Sequence, residues 1–110
     1  MPRLTLDGTS LTLSSLAPIL EGDATTVAVA KQAKARVRAA RKLVEDHVRA
    51  GDVVYGLTTG FGKLKSVAIE SGDLATLQRN LILSHCTGVG EPMPLEEVRV
   101  VQVLRLNGIL

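Results

Sequence analysis

The residues with the clearest potential for chemistry lie in one glycine-rich stretch, Val53 to Leu64, which reads VVYGLTTGFGKL. It carries the only tyrosine and the only phenylalanine of the chain, among three glycines. Glycine lets a backbone pass close to a ligand, and a phenol held there can move a proton. A mobile connector would also explain the glycines, although flexible linkers seldom carry aromatic side chains. Two interpretations therefore stay open: a loop that holds Tyr55 beside a ligand, or a passive connector.

The same glycines do not form a nucleotide-binding motif. A Walker loop needs four residues between its first glycine and Gly-Lys, followed by serine or threonine. Five residues separate Gly56 from Gly62-Lys63 here, and Leu64 follows without a hydroxyl group. The dinucleotide fingerprint fails as well, because Lys65 stands where a third glycine is required. The spacing therefore argues against both kinds of phosphate-binding loop.

Two histidines and the single cysteine are the other candidates for chemistry. His85 continues a leucine stripe at helical spacing and precedes a glycine-broken stretch, so it either is a satisfied core residue or faces a cavity. Cys86 would point about 100° away on the same helix, which argues against a Cys–His dyad. His47 is expected to be a solvated residue near a helix end, and the three together lack the spacing and number of a metal site. One cysteine forms no internal disulfide, so we expect a reducing cytoplasm.

The elements that must position these residues are predicted to be mainly α-helical. Apolar residues recur at helical spacing from Val27 to Val48, with charged residues opposite them and Gly51 as a stop. Residues 10–20 are weakly helical at best, because Pro18 interrupts them. We predict a single segment composed of a short strand and loop (1–22), a long helix (23–50), the glycine-rich loop (51–70) and two further helices (71–86 and 94–110).

The last predicted helix is apolar on nearly every side. Only Arg99, Gln102 and Arg105 form a polar ridge along it. Such a helix has to be buried on nearly every side, and the other predicted segments are too few to enclose it. A cap at Asn107-Gly108 with a folded-back end is the simpler alternative. We favour the expectation that the chain is the front of a longer protein, divided inside a core helix.

The charge pattern gives little reason to expect nucleic acid or membrane partners. The formal net charge is +2, and the basic run at residues 31–42 carries no interleaved aromatic residue that could stack on bases. A solvated helix face is the preferred interpretation, with a small nucleic-acid-binding or assembly module as the alternative. No apolar run approaches the length of a membrane span, and the N-terminus lacks a signal peptide.

Two segments together resemble one enzyme family. Tyr55-Gly56-Leu57-Thr58-Thr59-Gly60-Phe61-Gly62 is similar to the Tyr-Gly-x-Asn/Thr-Thr-Gly-Phe-Gly loop of the aromatic amino acid ammonia-lyases. The segment from Leu77 to His85, followed by Gly88-Val89-Gly90, resembles the next helix of that family. The likeness covers most of residues 50–110. It implies the N-terminal portion of a mainly helical, cytoplasmic lyase that is usually a homotetramer.

The resemblance also implies roles for four residues. Tyr55 matches the family's catalytic tyrosine, proposed as a base or proton relay, and Gly62 lies near the substrate. Ser84 and His85 match the pair that discriminates among substrates, and Ser-His is typical of the members that deaminate histidine. L-histidine, converted to urocanate and ammonia, is therefore the expected substrate. Histidine lyases often carry asparagine at the position of Thr58, whereas threonine is common there in the phenylalanine and tyrosine enzymes. Those enzymes and an aminomutase therefore remain alternatives.

The family's electrophile is 4-methylidene-imidazol-5-one, formed by cyclisation of an internal Ala-Ser-Gly, and no metal is implied. That tripeptide is absent from residues 1–110. We therefore expect this polypeptide to be inactive alone while the longer parent is a lyase. A truncated paralogue with only an assembly role is the remaining alternative.

Overall fold

The chain is mainly helical, which confirms the expected fold class. The computed structural model describes all residues from Met1 to Leu110. The strands are β1 (Arg3–Leu6) and β2 (Thr26–Val29), and the helices are α1 (Leu13–Leu20), α2 (Lys31–Ala50), α3 (Leu74–Ser84) and α4 (Leu95–Asn107). None of the helices has the length and apolar character that crossing a bilayer requires.

The residues group into two compact units. Unit 1 consists of Met1–Ala39 and Glu91–Leu110, and unit 2 of Ala40–Gly90. Unit 1 therefore contains the sheet, α1, the first part of α2 and α4. Unit 2 contains the rest of α2, the glycine-rich loop and α3, and with them every candidate site residue.

The long helix predicted from residue 23 begins only at Lys31, because Thr26–Val29 forms a strand instead. β2 pairs in parallel with β1, in a register that places Arg3 opposite Thr26 and Leu6 opposite Val29. The pair is extended by the bond from Thr26 N–H to the Pro2 carbonyl (2.9 Å) and from Ala30 N–H to the Leu6 carbonyl (2.8 Å). Val27 and Ala30 fit helical spacing, but the β-branched residues in this stretch fit an extended backbone better.

Residues 13–20 form a regular helix, although the sequence predicts weak helicity at best. Thr12 caps α1, and its hydroxyl and that of Ser15 each accept the other residue's backbone N–H in a capping box. Pro18 lies inside the helix. It removes one backbone donor, and the burial of Leu16 and Ile19 on either side offsets that loss.

The core of unit 1 is small and is formed by Leu6, Leu16, Ile19 and Val103. Burying each of these side chains contributes about 1.5–3 kcal/mol. Val103 is the only buried residue of α4, whereas Val101 remains 54% exposed and Leu104 47% exposed. As expected, the segments of this chain do not enclose α4, because only one side of the helix packs on the core. The helix is not divided, however: it ends at Asn107 with Gly108 as its C-cap, and Leu110 packs back against the core, as the simpler alternative predicted.

The turn after β1 is organised by Asp7. One carboxylate oxygen of Asp7 accepts the backbone N–H groups of Thr9 (2.9 Å) and Ser10 (2.8 Å). Gly8 has φ of +88°, which favours glycine, and its N–H donates to the side-chain oxygen of Asn107 in α4 (3.0 Å). The turn thereby joins β1 to the end of α4.

The Asp7 carboxyl is expected to titrate in strong acid. Hydrogen bonds from the backbone of Thr9 and then Ser10 lower the pKa of Asp7 from 3.8 to about 2. Because the folded-state pKa is depressed, the stabilisation is present above pH 3.8 and is lost as the pH falls through about 2. A side-chain NMR titration of Asp7 measures the midpoint directly. A midpoint near the ordinary value would contradict the turn described here.

In unit 2, the C-terminal part of α2 is stabilised by its own charges. Arg41 pairs with Glu45 (2.8 Å) and Lys42 with Asp46 (3.1 Å), both at i,i+4 spacing. The bond from Lys42, followed by that from Arg49, lowers the pKa of Asp46. The helix ends as expected at Gly51, where φ is +74°.

Unit 2 continues through the glycine-rich loop into α3. The loop contains a 3₁₀ turn at Gly62–Leu64 and an antiparallel bridge between Thr59 and Ala68. Helix α3 begins at Leu74 rather than at residue 71, and Asp73 precedes it without a side-chain capping bond.

Helix α4, in unit 1, begins after Pro94.

Candidate active site

Tyr55 lies at the start of the glycine-rich loop with its side chain largely in solvent. It is 65% exposed, and its hydroxyl makes no hydrogen bond within the chain. Its ring meets that of Phe61 edge to face, with centroids 6.1 Å apart and an interplanar angle of 68°. This arrangement is a favourable one for two aromatic rings. The phenol is therefore supported on one side and remains free to contact another molecule.

Thr58 fixes the backbone on the N-terminal side of the tyrosine. Its hydroxyl accepts the N–H of Val54 (2.9 Å) and donates to the carbonyl of Asp52 (2.6 Å). Only 8% of Thr58 is exposed. Both hydrogen-bonding capacities of the hydroxyl are thus used within the loop, and the side chain holds the chain around Tyr55 in a closed turn.

Thr59 fixes the backbone on the other side. It is fully buried, and its hydroxyl accepts the Gly56 N–H (3.2 Å) and donates to the Gly60 carbonyl (3.0 Å). The neighbouring Gly60 N–H donates to the Val67 carbonyl (3.1 Å), and Ile69 N–H to the Thr58 carbonyl (2.9 Å). The two threonines are therefore the internal scaffold of the loop.

The three glycines of the loop are required for different structural reasons. Gly56 and Gly62 have φ of +73° and +57°, a region that side chains disfavour. At Gly60 φ is ordinary, but a Cβ would lie 2.6 Å from the Leu64 Cβ and 2.9 Å from the Leu64 carbonyl oxygen. Gly62 has open space around it, which leaves room beside the backbone. The glycines thus define one loop conformation and do not simply provide mobility.

Helix α3 contacts the loop through Gln78. Its side-chain N–H donates to the Gly56 carbonyl at 3.2 Å. Gly56 therefore has both of its backbone polar groups bound, the N–H by Thr59 and the carbonyl by Gln78.

Ser84 and His85 lie together at the C-terminal end of α3. The Ser84 Oγ donates to the Leu81 carbonyl at 2.8 Å, and the His85 Nδ1 lies 2.8 Å from the same oxygen and 3.0 Å from the Ser84 Oγ. A carbonyl oxygen accepts only from a donor, so this geometry assigns a proton to Nδ1. In the neutral ring, Nε2 is then an acceptor, and the Ser84 Oγ keeps accepting capacity. Both residues are exposed.

The structure brings Ser84 and His85 into contact and leaves the other candidates apart from them. Tyr55 and Gly62 share the loop, but no hydrogen bond joins Tyr55 to the Ser84–His85 pair. Gly62 is exposed and contacts neither. His47 pairs with Asp52 at 2.7 Å, and no group of three metal-ligating side chains is arranged to hold an ion. Any site that includes all four predicted residues needs further atoms to complete it.

A cavity of about 740 Å³ lies between the end of α2 and the start of α3. Its lining includes Arg41, Glu45, Gly56, Leu57 and Gln78. Tyr55, Gly62, Ser84 and His85 do not line it. The cavity is therefore lined by the neighbours of Tyr55 and not by the predicted site residues themselves.

Thr59 and Gln78 are the residues that sequence reasoning missed. Thr59 could have been found from its position, since a hydroxyl side chain between glycines often bonds to nearby backbone. Gln78 has no such local signal, because its partner Gly56 is 22 residues away.

We expect Thr58→Val to loosen the loop. Valine keeps the shape of threonine but leaves the Val54 N–H and the Asp52 carbonyl without their partner. An unsatisfied partly buried polar group lowers the free energy of unfolding by about 1–3 kcal/mol. Urea unfolding of Thr58→Val and of Thr58→Ser, which keeps the hydroxyl, measures the difference. Equal stability of the two variants would show that the hydroxyl does not organise the loop.

Comparison with known proteins shows the family to which the chain belongs. The family model of aromatic amino acid lyases matches residues 11–110, and the chain belongs to that family.

The proteins to which the chain is similar include two histidine ammonia-lyases and a tyrosine aminomutase. The chain is 52% identical over 107 residues to the histidine ammonia-lyase of Stigmatella aurantiaca, a match that covers 96% of this chain and 21% of the relative. It resembles the crystal structure of histidine ammonia-lyase from Trypanosoma cruzi with a TM-score of 0.85 and 39% identity, covering 96% of this chain and 20% of that one. For the tyrosine aminomutase of Streptomyces globisporus the TM-score is 0.86 and the identity 30%, over 97% and 20% of the two chains. The chain spans about a fifth of the length of these proteins.

Proposed function

We propose that residues 1–110 are the N-terminal part of a histidine ammonia-lyase, which converts L-histidine to urocanate and ammonia. The observation that carries this proposal is the Ser84–His85 pair at the end of α3 in a chain of the aromatic amino acid lyase family. The 52% identity to a histidine ammonia-lyase supports the same substrate.

The Ser84–His85 pair suits a ligand that donates hydrogen bonds. The Nε2 of a neutral His85 is an acceptor, because its Nδ1 proton is directed at the Leu81 carbonyl. The Ser84 hydroxyl also donates to that carbonyl and keeps lone pairs free. An imidazole N–H can bond to such acceptors, whereas a phenyl ring leaves them unpaired, and this difference favours histidine over phenylalanine.

Tyr55 is proposed to move the proton that the elimination releases. The reaction breaks a β-carbon–hydrogen bond and the carbon–nitrogen bond and leaves a double bond between the two carbons. The Tyr55 phenol oxygen has no partner within this chain, so no other group of the chain occupies the position from which it would accept the β-proton and pass it on. Gly62, with open space at its Cα, lets substrate approach the loop backbone.

Thr58 is weaker evidence against a histidine substrate than its residue type suggests. Its hydroxyl is occupied by the backbone of Asp52 and Val54, so it acts on the loop and not on a ligand. Asparagine could replace it, because its amide also has one acceptor and a donor group. The residue at this position therefore need not reflect the substrate.

The electrophile does not come from this chain. Methylidene-imidazolone needs an Ala-Ser-Gly, and the one Ser-Gly pair here, Ser71-Gly72, follows Glu70. The residues present therefore do not fit the formation of the group. It would be supplied by residues outside this sequence.

Assembly and location complete the proposal. The resemblance to the family supports a homotetramer. The single cysteine, Cys86, forms no disulfide within the chain, which supports a reducing cytoplasm. A nucleic-acid role is disfavoured because Arg41 and Lys42, within the basic run, are paired with acidic residues of their own helix.

The test uses a complete enzyme, defined as this chain followed by the rest of a histidine ammonia-lyase. It can be assembled by exchanging the matching 107 residues of the Stigmatella aurantiaca enzyme for this chain. We expect the complete enzyme to release urocanate and ammonia in equal amounts from L-histidine, and the 110-residue chain alone to release neither. Preference for L-tyrosine or L-phenylalanine would overturn the assignment of histidine as the substrate. Turnover by the 110-residue chain alone would overturn the claim that the active site needs residues outside it.

A tyrosine aminomutase is the second candidate. It is favoured by the TM-score of 0.86 to such an enzyme, although the identity is only 30%. The same assay with L-tyrosine distinguishes the two, because an aminomutase yields β-tyrosine and retains the nitrogen.

A further inference from the structure

We propose that Gln78 is a positioning residue for Tyr55, so that α3 controls where the tyrosine is held. The inference rests on the proposed function for its kinetic consequence, while the contact itself is a property of this chain. Gln78 does not touch Tyr55. It acts through the Gly56 carbonyl, to which its side chain donates at 3.2 Å.

The two peptide planes on either side of Gly56 determine how Tyr55 is presented. The first, between Tyr55 and Gly56, is held through the Gly56 N–H by Thr59. The second, between Gly56 and Leu57, is held through the Leu57 N–H, which donates to the Val54 carbonyl at 3.0 Å, and through the Gly56 carbonyl by Gln78. Peptide planes are rigid, and the freedom between them lies in the φ and ψ angles of a glycine at φ of +73°. Removing the Gln78 bond leaves the second plane with the Leu57 bond alone and removes the tie of this segment to α3, which loosens the position of Tyr55.

Helix α3 also carries the Ser84–His85 pair. These residues follow Gln78 by six and seven positions, about 9 and 10.5 Å along a helix axis. A single rigid element therefore holds both the anchor of the Tyr55 segment and the pair that would bind the substrate ring. Gln78 is the only side chain that bonds α3 to the loop, so it links the two parts of the site.

The kinetic test compares Gln78→Met with Gln32→Met in the complete enzyme. Methionine keeps the length of glutamine and removes its donor, and Gln32 is exposed on α2 without a side-chain bond. Because small displacements of a catalytic group are costly, Gln78→Met should lower kcat about tenfold and change KM less than about twofold. Gln32→Met should match the wild type. Gln78→Arg, which retains a donor, should recover most of the rate.

A double variant separates positioning from general damage. If Gln78 acts through Tyr55, Gln78→Met added to Tyr55→Phe should cause less than about a twofold further loss, because coupled residues are not additive. An equally large loss in both backgrounds would overturn the proposal.

A second measurement does not depend on activity. Tyr55 is the only tyrosine, so 3-fluorotyrosine gives this chain a single ¹⁹F signal. Gln78→Met should shift or narrow that signal as the loop becomes mobile, and Gln32→Met should leave it unchanged. A signal that is identical in all three proteins would overturn the role of Gln78. If the signal responds but the complete enzyme does not convert histidine, the proposed function fails while the positioning contact stands.

Discussion

Tyr55→Phe is expected to lower kcat of the complete enzyme on L-histidine by about a thousandfold, within the range of positioned acid–base groups. The substitution removes only the hydroxyl oxygen. That atom has no hydrogen bond within the chain, and the ring keeps its edge-to-face contact with Phe61. The loss should therefore fall on the chemical step, with KM changed by no more than about threefold.

Phe61→Leu serves as the matched control for the loss of Tyr55. It removes the aromatic neighbour of Tyr55 and keeps the phenol, so it should cost kcat far less than Tyr55→Phe does. The thermal midpoint of Tyr55→Phe should equal that of the wild type, because the deleted atom has no partner within the chain and its side chain is largely in solvent. A Tyr55→Phe enzyme with nearly full kcat would mean that another group removes the β-proton.

Gly60→Ala is expected to have the second-largest effect. The new Cβ would meet the Leu64 Cβ at 2.6 Å and the Leu64 carbonyl at 2.9 Å, so the 3₁₀ turn at Gly62–Leu64 has to move. Overpacking of this kind costs about 1–3 kcal/mol. Because the same turn follows the Thr59 scaffold, kcat of the complete enzyme should fall about a hundredfold.

Gly72→Ala is the control for Gly60→Ala. Gly72 has an ordinary φ, and nothing lies within 4 Å of the place that an added methyl group would take, so the change should be neutral in both stability and rate. Thermal unfolding and kcat on L-histidine are measured for both variants. Equal behaviour of Gly60→Ala and Gly72→Ala would show that the close approach of Leu64 does not define the loop.

The helices could be predicted wherever apolar spacing determined packing. This was so for α3, α4 and most of α2, and Gly51 marked the end of α2 correctly. The start of α2 could not be predicted in the same way. Val27 and Ala30 continue the helical spacing, but β2 exists because Thr26 and Ala30 donate to Pro2 and Leu6. Those partners are distant in the sequence, and a local pattern does not contain them.

For the candidate site, too, some residues could be predicted from the sequence, and a contact between distant residues could not. Residue type and position single out Tyr55 and His85 as candidates, whereas the roles of Gly62 and Ser84 come from the family resemblance alone. The roles of all four in catalysis and binding stay predictions. The contact between Ser84 and His85 was not predicted, because adjacent residues on a regular helix point about 100° apart. It forms because α3 ends at Ser84 and both side chains bind the Leu81 carbonyl. The bond from Gln78 to Gly56 depends on how α3 packs beside the loop, so no local signal could predict it.

Tyr55 and the Ser84–His85 pair are proposed to act on one bound histidine, and the rest of the mechanism depends on that. A crystal structure of the complete Tyr55→Phe enzyme with L-histidine tests this most directly. We predict that the substrate imidazole donates to the His85 Nε2 or the Ser84 Oγ. Its β-carbon should face the edge of the substituted ring, where the phenol oxygen of Tyr55 would lie. An imidazole bound away from the end of α3, or a β-carbon out of reach of that edge, would contradict the proposed mechanism.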